Sequence, residues 1–123
     1  MKILEDLFVA DTVRHPEEVV YALRRRKPLL RLYCVVYFAD RTRFEILHSL
    51  MLFSVHNGAR DGIICGVANG QRSAYELFGA IVEEMERDGK DITKAETWVQ
   101  GAAVEEILDK AEGEETGDAE GEG

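Results

Sequence analysis

Residues that usually carry chemistry are scarce in this 123-residue chain, and each scarcity excludes something. There are two cysteines, two prolines, one tryptophan and three histidines. Cys34 and Cys65 lie in apolar segments without C-x-x-C spacing. This excludes a zinc ribbon and predicts reduced, buried thiols acting as small hydrophobes, with a single disulfide between two strands as the alternative that nothing calls for. His15, His48 and His56 form no H-E-x-x-H pattern, so no metal ligand and no cofactor is assigned. Cys65 would be a nucleophile only if His48 or His56 came to lie beside it. No G-x-S-x-G, no G-x-G-x-x-G and no Walker lysine is present, and no catalytic residue is assigned.

Long apolar runs are also missing. The longest, Leu32 to Ala39, falls far short of the ~20 residues that span a bilayer. The start, Met1-Lys2-Ile3-Leu4-Glu5-Asp6, lacks the basic and apolar regions of a signal peptide. A cytoplasmic protein with no membrane partner is the expectation.

The net charge is −9. Glu112, Glu114, Glu115, Asp118, Glu120 and Glu122 fall in 111–123, which has no base; removing their −6 from −9 leaves −3 for the rest. The body is therefore only mildly acidic and has no global attraction for nucleic acid. Residues 111–123 have nothing to bury, which predicts a disordered Glu/Gly tail after one domain over 1–110.

Ile3, Leu4, Leu7 and Phe8 recur at helical spacing and predict a short opening helix. A helix over 16–27 starts with Pro16 at a tolerated position and Glu17 and Glu18 at its positive end. Arg24, Arg25, Arg26 and Lys27 stand at its negative end, and Pro28 stops it. Strict alternation predicts a strand over 29–38, with Leu30, Leu32, Cys34, Val36 and Phe38 on one apolar face. Residues 44–55 fit either a strand or a helix capped by Thr42 and Glu45 and ended by Asn57-Gly58; a strand over 44–53 is preferred because the loop before it is short and its predecessor needs a partner. A short strand over 63–68 leads to the Asn69-Gly70 turn. Ser73 and Glu76 read as a capping box for a helix over 73–87, and Thr93 with Glu96 opens another over 94–110. Together these give an α+β fold in two layers: an antiparallel sheet of about three strands with helices on one face.

Three surfaces are candidates for function. Gly66, Asn69, Gly70, Arg72 and Ser73 run from strand through turn to helix start, where free N–H groups can hold an anion. The same residues equally describe an ordinary turn and cap. Arg24, Arg25, Arg26 and Lys27, with Arg31 beyond, form a basic patch able to meet phosphates, against which the acidic balance argues. Tyr33, Tyr37 and Trp98 mark an interaction surface, because a short sheet has edges that must be covered or paired.

Phe44-Glu45-Ile46-Leu47, the stretch Asp61 to Gly70 and Ala74-Tyr75-Glu76-Leu77 resemble small uncharacterised bacterial proteins that join an E-I-L strand to an I-I-G-x-A-x-G turn and a helix. The resemblance spans residues 44–77, departs at Ser73-Ala74-Tyr75-Glu76, and supports the strand at Phe44 to Phe53 without implying an activity. The expected role is a non-catalytic interaction or adaptor module whose partner is itself or another protein. Anion binding at Gly66 to Ser73 and nucleic-acid binding at Arg24 to Lys27 are the alternatives.

Overall fold

A computed structural model describes residues 1–38, 43–53, 62–88 and 104–106. Its elements in chain order are β1 (Lys2–Val9), α1 (Pro16–Arg24), β2 (Leu32–Phe38), β3 (Arg43–His48), α2 (Ser49–Leu52), β4 (Ile63–Asn69), α3 (Gln71–Arg87) and β5 (Val104–Glu106). The strands form one sheet in the order β3-β2-β4-β1-β5. β1 and β4 are parallel, and the other neighbours are antiparallel. The α+β class holds, but the sheet is mixed and has more strands than the three expected.

The helices occupy both faces of that sheet, not one. Val19 and Leu23 of α1 and Leu52 of α2 pack with Ile3, Cys34, Val36, Phe38, Ile64 and Val67. Ala74, Leu77, Ile81 and Met85 of α3 pack on the opposite face with Leu4, Val35, Tyr37, Cys65 and Ala68. β2 serves both clusters because consecutive side chains point to opposite faces and neither face is solvated. The face that carries Tyr33, Val35 and Tyr37 is therefore packed in the core as well. Cys34 and Cys65 also fall on opposite faces, so their thiols stay free.

The predicted opening helix is β1. Ile3 is buried toward α1 and Leu4 toward α3, with Leu7 and Phe8 repeating that split one step on. Apolar pairs at 3/4 and 7/8 thus mark a strand covered on both faces, its exposed Glu5 and Asp6 lying where the register with β4 shifts between Ile3 and Phe8. Such a pattern mimics helical spacing.

The remaining boundaries shift for local reasons. The segment 44–53 splits into β3 and α2, because His48 Nδ1 accepts from the Leu50 N–H at 3.0 Å and caps a helix start. The β2 strand begins at Leu32, and Leu30 is 83% exposed, not part of the apolar face. α3 starts at Gln71 on Gly70, so Ser73 and Glu76 form no capping box. Of the helix expected over 94–110, only 104–106 are described; they form β5, antiparallel to Lys2–Leu4 on the outer side of β1. The residues 111–123 lie outside the described residues.

α1 ends before Lys27 in a Schellman turn. Arg26 N–H donates to Leu23 O at 3.0 Å and Lys27 N–H to Ala22 O at 2.9 Å. Arg26 stands at the left-handed position with φ 57°, where glycine is preferred. Arg26→Gly should leave stability nearly unchanged, while Arg26→Val should cost about 2 kcal/mol, since a β-branched side chain is strained there. Urea midpoints of the two variants check this.

Candidate functional site

The Gly66–Ser73 segment links β4 to α3, and hydrogen bonds within the chain engage most of its polar groups. Asn69 N–H donates to Thr12 Oγ1 at 3.0 Å, and Asn69 Nδ2 donates to Thr12 O at 2.9 Å. Thr12 Oγ1 also lies 2.8 Å from Ser73 Oγ. Gly70 N–H donates to Arg31 O at 2.8 Å. The exposed Arg72 pairs with Glu76 at 3.4 Å, one turn along α3. The turn therefore pins the loop after β1 and the start of β2 to the end of β4. Thr12, which the sequence reading passed over, is its hub. Its contribution is visible only when residues 57 and 61 positions away are brought beside it.

Two glycines in this segment have separate causes. Gly70 has φ 89° with open space around it, so its conformation alone selects glycine. At Gly66 the space is the constraint: a Cβ would lie 2.9 Å from Leu77 Cδ2, 3.2 Å from Ile81 Cδ1 and 3.3 Å from Phe8 O. Gly66 also sits where the β2–β4 register slips between Val35 and Val36, the mark of a bulge.

The basic run does not present a row of equivalent cations. Arg25 folds back, its guanidinium 3.5 Å from the Tyr21 ring centroid. Arg26 is half-buried and lies 4.9 Å above the Phe53 ring. Lys27 and Arg31 are exposed. Arg24 faces the other way, lining a groove of about 520 Å³ with Glu5, Asp6, Glu17 and Tyr21 between β1 and α1.

Of the aromatic candidates, Tyr37 is 1% exposed, its ring 5.1 Å from Phe44. Burial on the α3 face takes it out of the surface where its position on an alternating strand had placed it. Tyr33 is half-buried and meets His48 edge to face at 5.0 Å. Trp98 and His56 lie outside the described residues.

His48 and Ser49 instead organise the corner between β2 and β3. The Leu50 N–H occupies His48 Nδ1, so Nε2 carries the hydrogen and donates to Leu30 O at 2.7 Å. Ser49 is fully buried. It accepts from Leu29 N–H at 2.9 Å and donates to Leu29 O at 2.7 Å. These bonds hold the 28–31 loop against α2. They leave Leu30, Leu50 and Met51 at one corner, 83%, 59% and 50% exposed.

The cysteines lack the environment of a nucleophile. Burial pushes the Cys34 thiol up to about 12 and the Cys65 thiol, which donates to Ile63 O at 3.5 Å, also to about 12. Both thiols should react with Ellman's reagent at pH 8 only on unfolding. The folded state holds these protons more tightly than the unfolded chain does. Stability should thus be intact below pH 9 and fall as pH rises from about 9 to about 12. A Cys34→Ala, Cys65→Ala variant should show a shallower alkaline fall in urea titrations.

Among the described residues no cluster of three or more His, Cys, Asp or Glu can hold a metal ion. No helix among them is long and apolar enough to cross a membrane. No family model, no curated protein and no solved structure matches the chain.

Proposed function

We propose that this chain is a non-catalytic interaction module that self-associates. The supporting observation is the corner where Leu30, Leu50 and Met51 are held out to solvent by the bonded pairs Leu29–Ser49 and Leu30–His48. A large apolar side chain exposed alone is ordinary, but three on two segments fixed to each other are what a surface that is buried against a partner would present. The corner directly follows β3, which ends the strand order and has no strand beyond it among the described residues. Exposed apolar side chains and a strand edge suit a protein partner better than a small molecule, which is usually enclosed in a cleft.

The Leu50→Asp, Met51→Asp variant tests this. Both residues are exposed, so its urea midpoint should match that of the unchanged protein. Its self-association, read by sedimentation velocity, should weaken at least about tenfold, the effect of ~1.4 kcal/mol at an interface. Unchanged association would remove the corner from the interface.

A further inference from the structure

The hydrogen-bond phase of the sheet specifies which groups the β3 edge offers. Gly70 N–H donates to Arg31 O, and the β2–β4 register sets Leu32 opposite Asn69. Arg31 and Gly70 are therefore a hydrogen-bonded pair, and Tyr33 and Val35 likewise aim their N–H and C=O at β4. Cys34, Val36 and Phe38 aim theirs at β3, where they stand opposite Leu47, Glu45 and Arg43. The N–H groups of Phe44, Ile46 and His48, with the C=O groups of Phe44 and Ile46, consequently point away from the sheet.

Among the described residues that edge has none of the usual protection. It contains no lysine, no proline and no bulge, and its one base and one acid, Arg43 and Glu45, neutralise each other at 2.9 Å. The edge is also self-complementary in one register. A two-fold axis at Ile46 sets Ile46 opposite its own copy, Phe44 opposite His48, and Glu45 opposite Leu47, so the outward groups meet and no like charges face each other. An axis at Glu45 opposes that carboxylate to itself, and one at Phe44 or at Leu47 shortens the overlap to three residues, Arg43–Glu45 or Ile46–His48.

Resting on the self-association proposed above, we infer that the partner is a second copy of this chain, joined antiparallel through β3 about a two-fold axis at Ile46 to make one continuous sheet. The Phe44 side chain, half-buried beside Tyr37 and Phe78, would then lie next to the Tyr33–His48 pair of the second copy.

The test introduces single cysteines by Phe44→Cys, Glu45→Cys and Ile46→Cys in the full chain, followed by mild oxidation and non-reducing electrophoresis. The native thiols are buried and do not compete. Residues facing their own copy as a hydrogen-bonded pair have Cα atoms about 5.5 Å apart, within disulfide reach. The covalent dimer should therefore be most abundant for Ile46→Cys; a maximum at Phe44→Cys or Glu45→Cys overturns the register. The Ile46→Pro variant is a second reading. Its lost N–H faces away from β2, so the circular dichroism spectrum should stay native while the mass falls to 13.8 kDa. A dimer that persists in Ile46→Pro and crosslinks at none of the three positions overturns the edge contact but leaves self-association standing. A monomeric unchanged protein overturns both.

Discussion

Gly66→Val should lower the unfolding free energy by about 3 kcal/mol, at the upper end of the usual cost of overpacking. The space for a side chain there is already taken. The first added carbon meets Leu77 Cδ2 at 2.9 Å and Ile81 Cδ1 at 3.2 Å, and these side-chain ends can give a little. Phe8 O, at 3.3 Å, is β1 backbone and cannot. Valine adds two methyl groups to that contact and forces α3 off the sheet or β1 off β4. Gly66→Ala should cost less, and less again in a Leu77→Ala background, where the shortest contact is gone. Urea unfolding of the four variants reads this out as midpoint shifts at constant slope. A Gly66→Val protein as stable as the unchanged one would show that close packing does not explain this glycine.

Ser49→Ala should destabilise by about 2 kcal/mol, the penalty for stranding a buried polar group. The hydroxyl both accepts from and donates to the Leu29 backbone. On its removal Leu29 O keeps the Leu32 N–H at 3.1 Å, but Leu29 N–H loses its bond to Ser49. The Leu29 amide should then exchange rapidly with deuterium while amides in the middle of β2 stay protected. Because this clamp fixes Leu29, and with it the segment that carries the exposed Leu30, to α2, the variant should also associate more weakly. Protection of Leu29 equal to that in the unchanged protein would mean that Ser49 does not hold the loop.

The sequence was most legible where local signals and tertiary packing agree. Pro16 begins α1, with Glu17 and Glu18 in its first turn; β2 alternates as expected; and Asn69-Gly70 turns the chain into α3. It misled where burial on two faces imitates another period. Ile3, Leu4, Leu7 and Phe8 have helical spacing because β1 is covered from both sides, and parallel pairing with a strand some sixty residues away leaves no local trace. The same cause hid the second helical layer, since Tyr33 and Tyr37 read as a half-solvated face until α3 is placed on it. The site was partly legible. Gly66 and Gly70 stood out as glycines, but Thr12, Ser49 and His48 act through backbone groups of residues distant in sequence, so no motif announces them. The exposed corner was hidden for a related reason: Leu30, Leu50 and Met51 resemble core residues in any window, and only the clamps to α2 show them turned outward.

The claim that this chain works by associating with itself is tested most directly by multi-angle light scattering of the unchanged protein across micromolar concentrations. The account predicts a mass of twice 13.8 kDa that declines on dilution. A mass of 13.8 kDa at every concentration would contradict it.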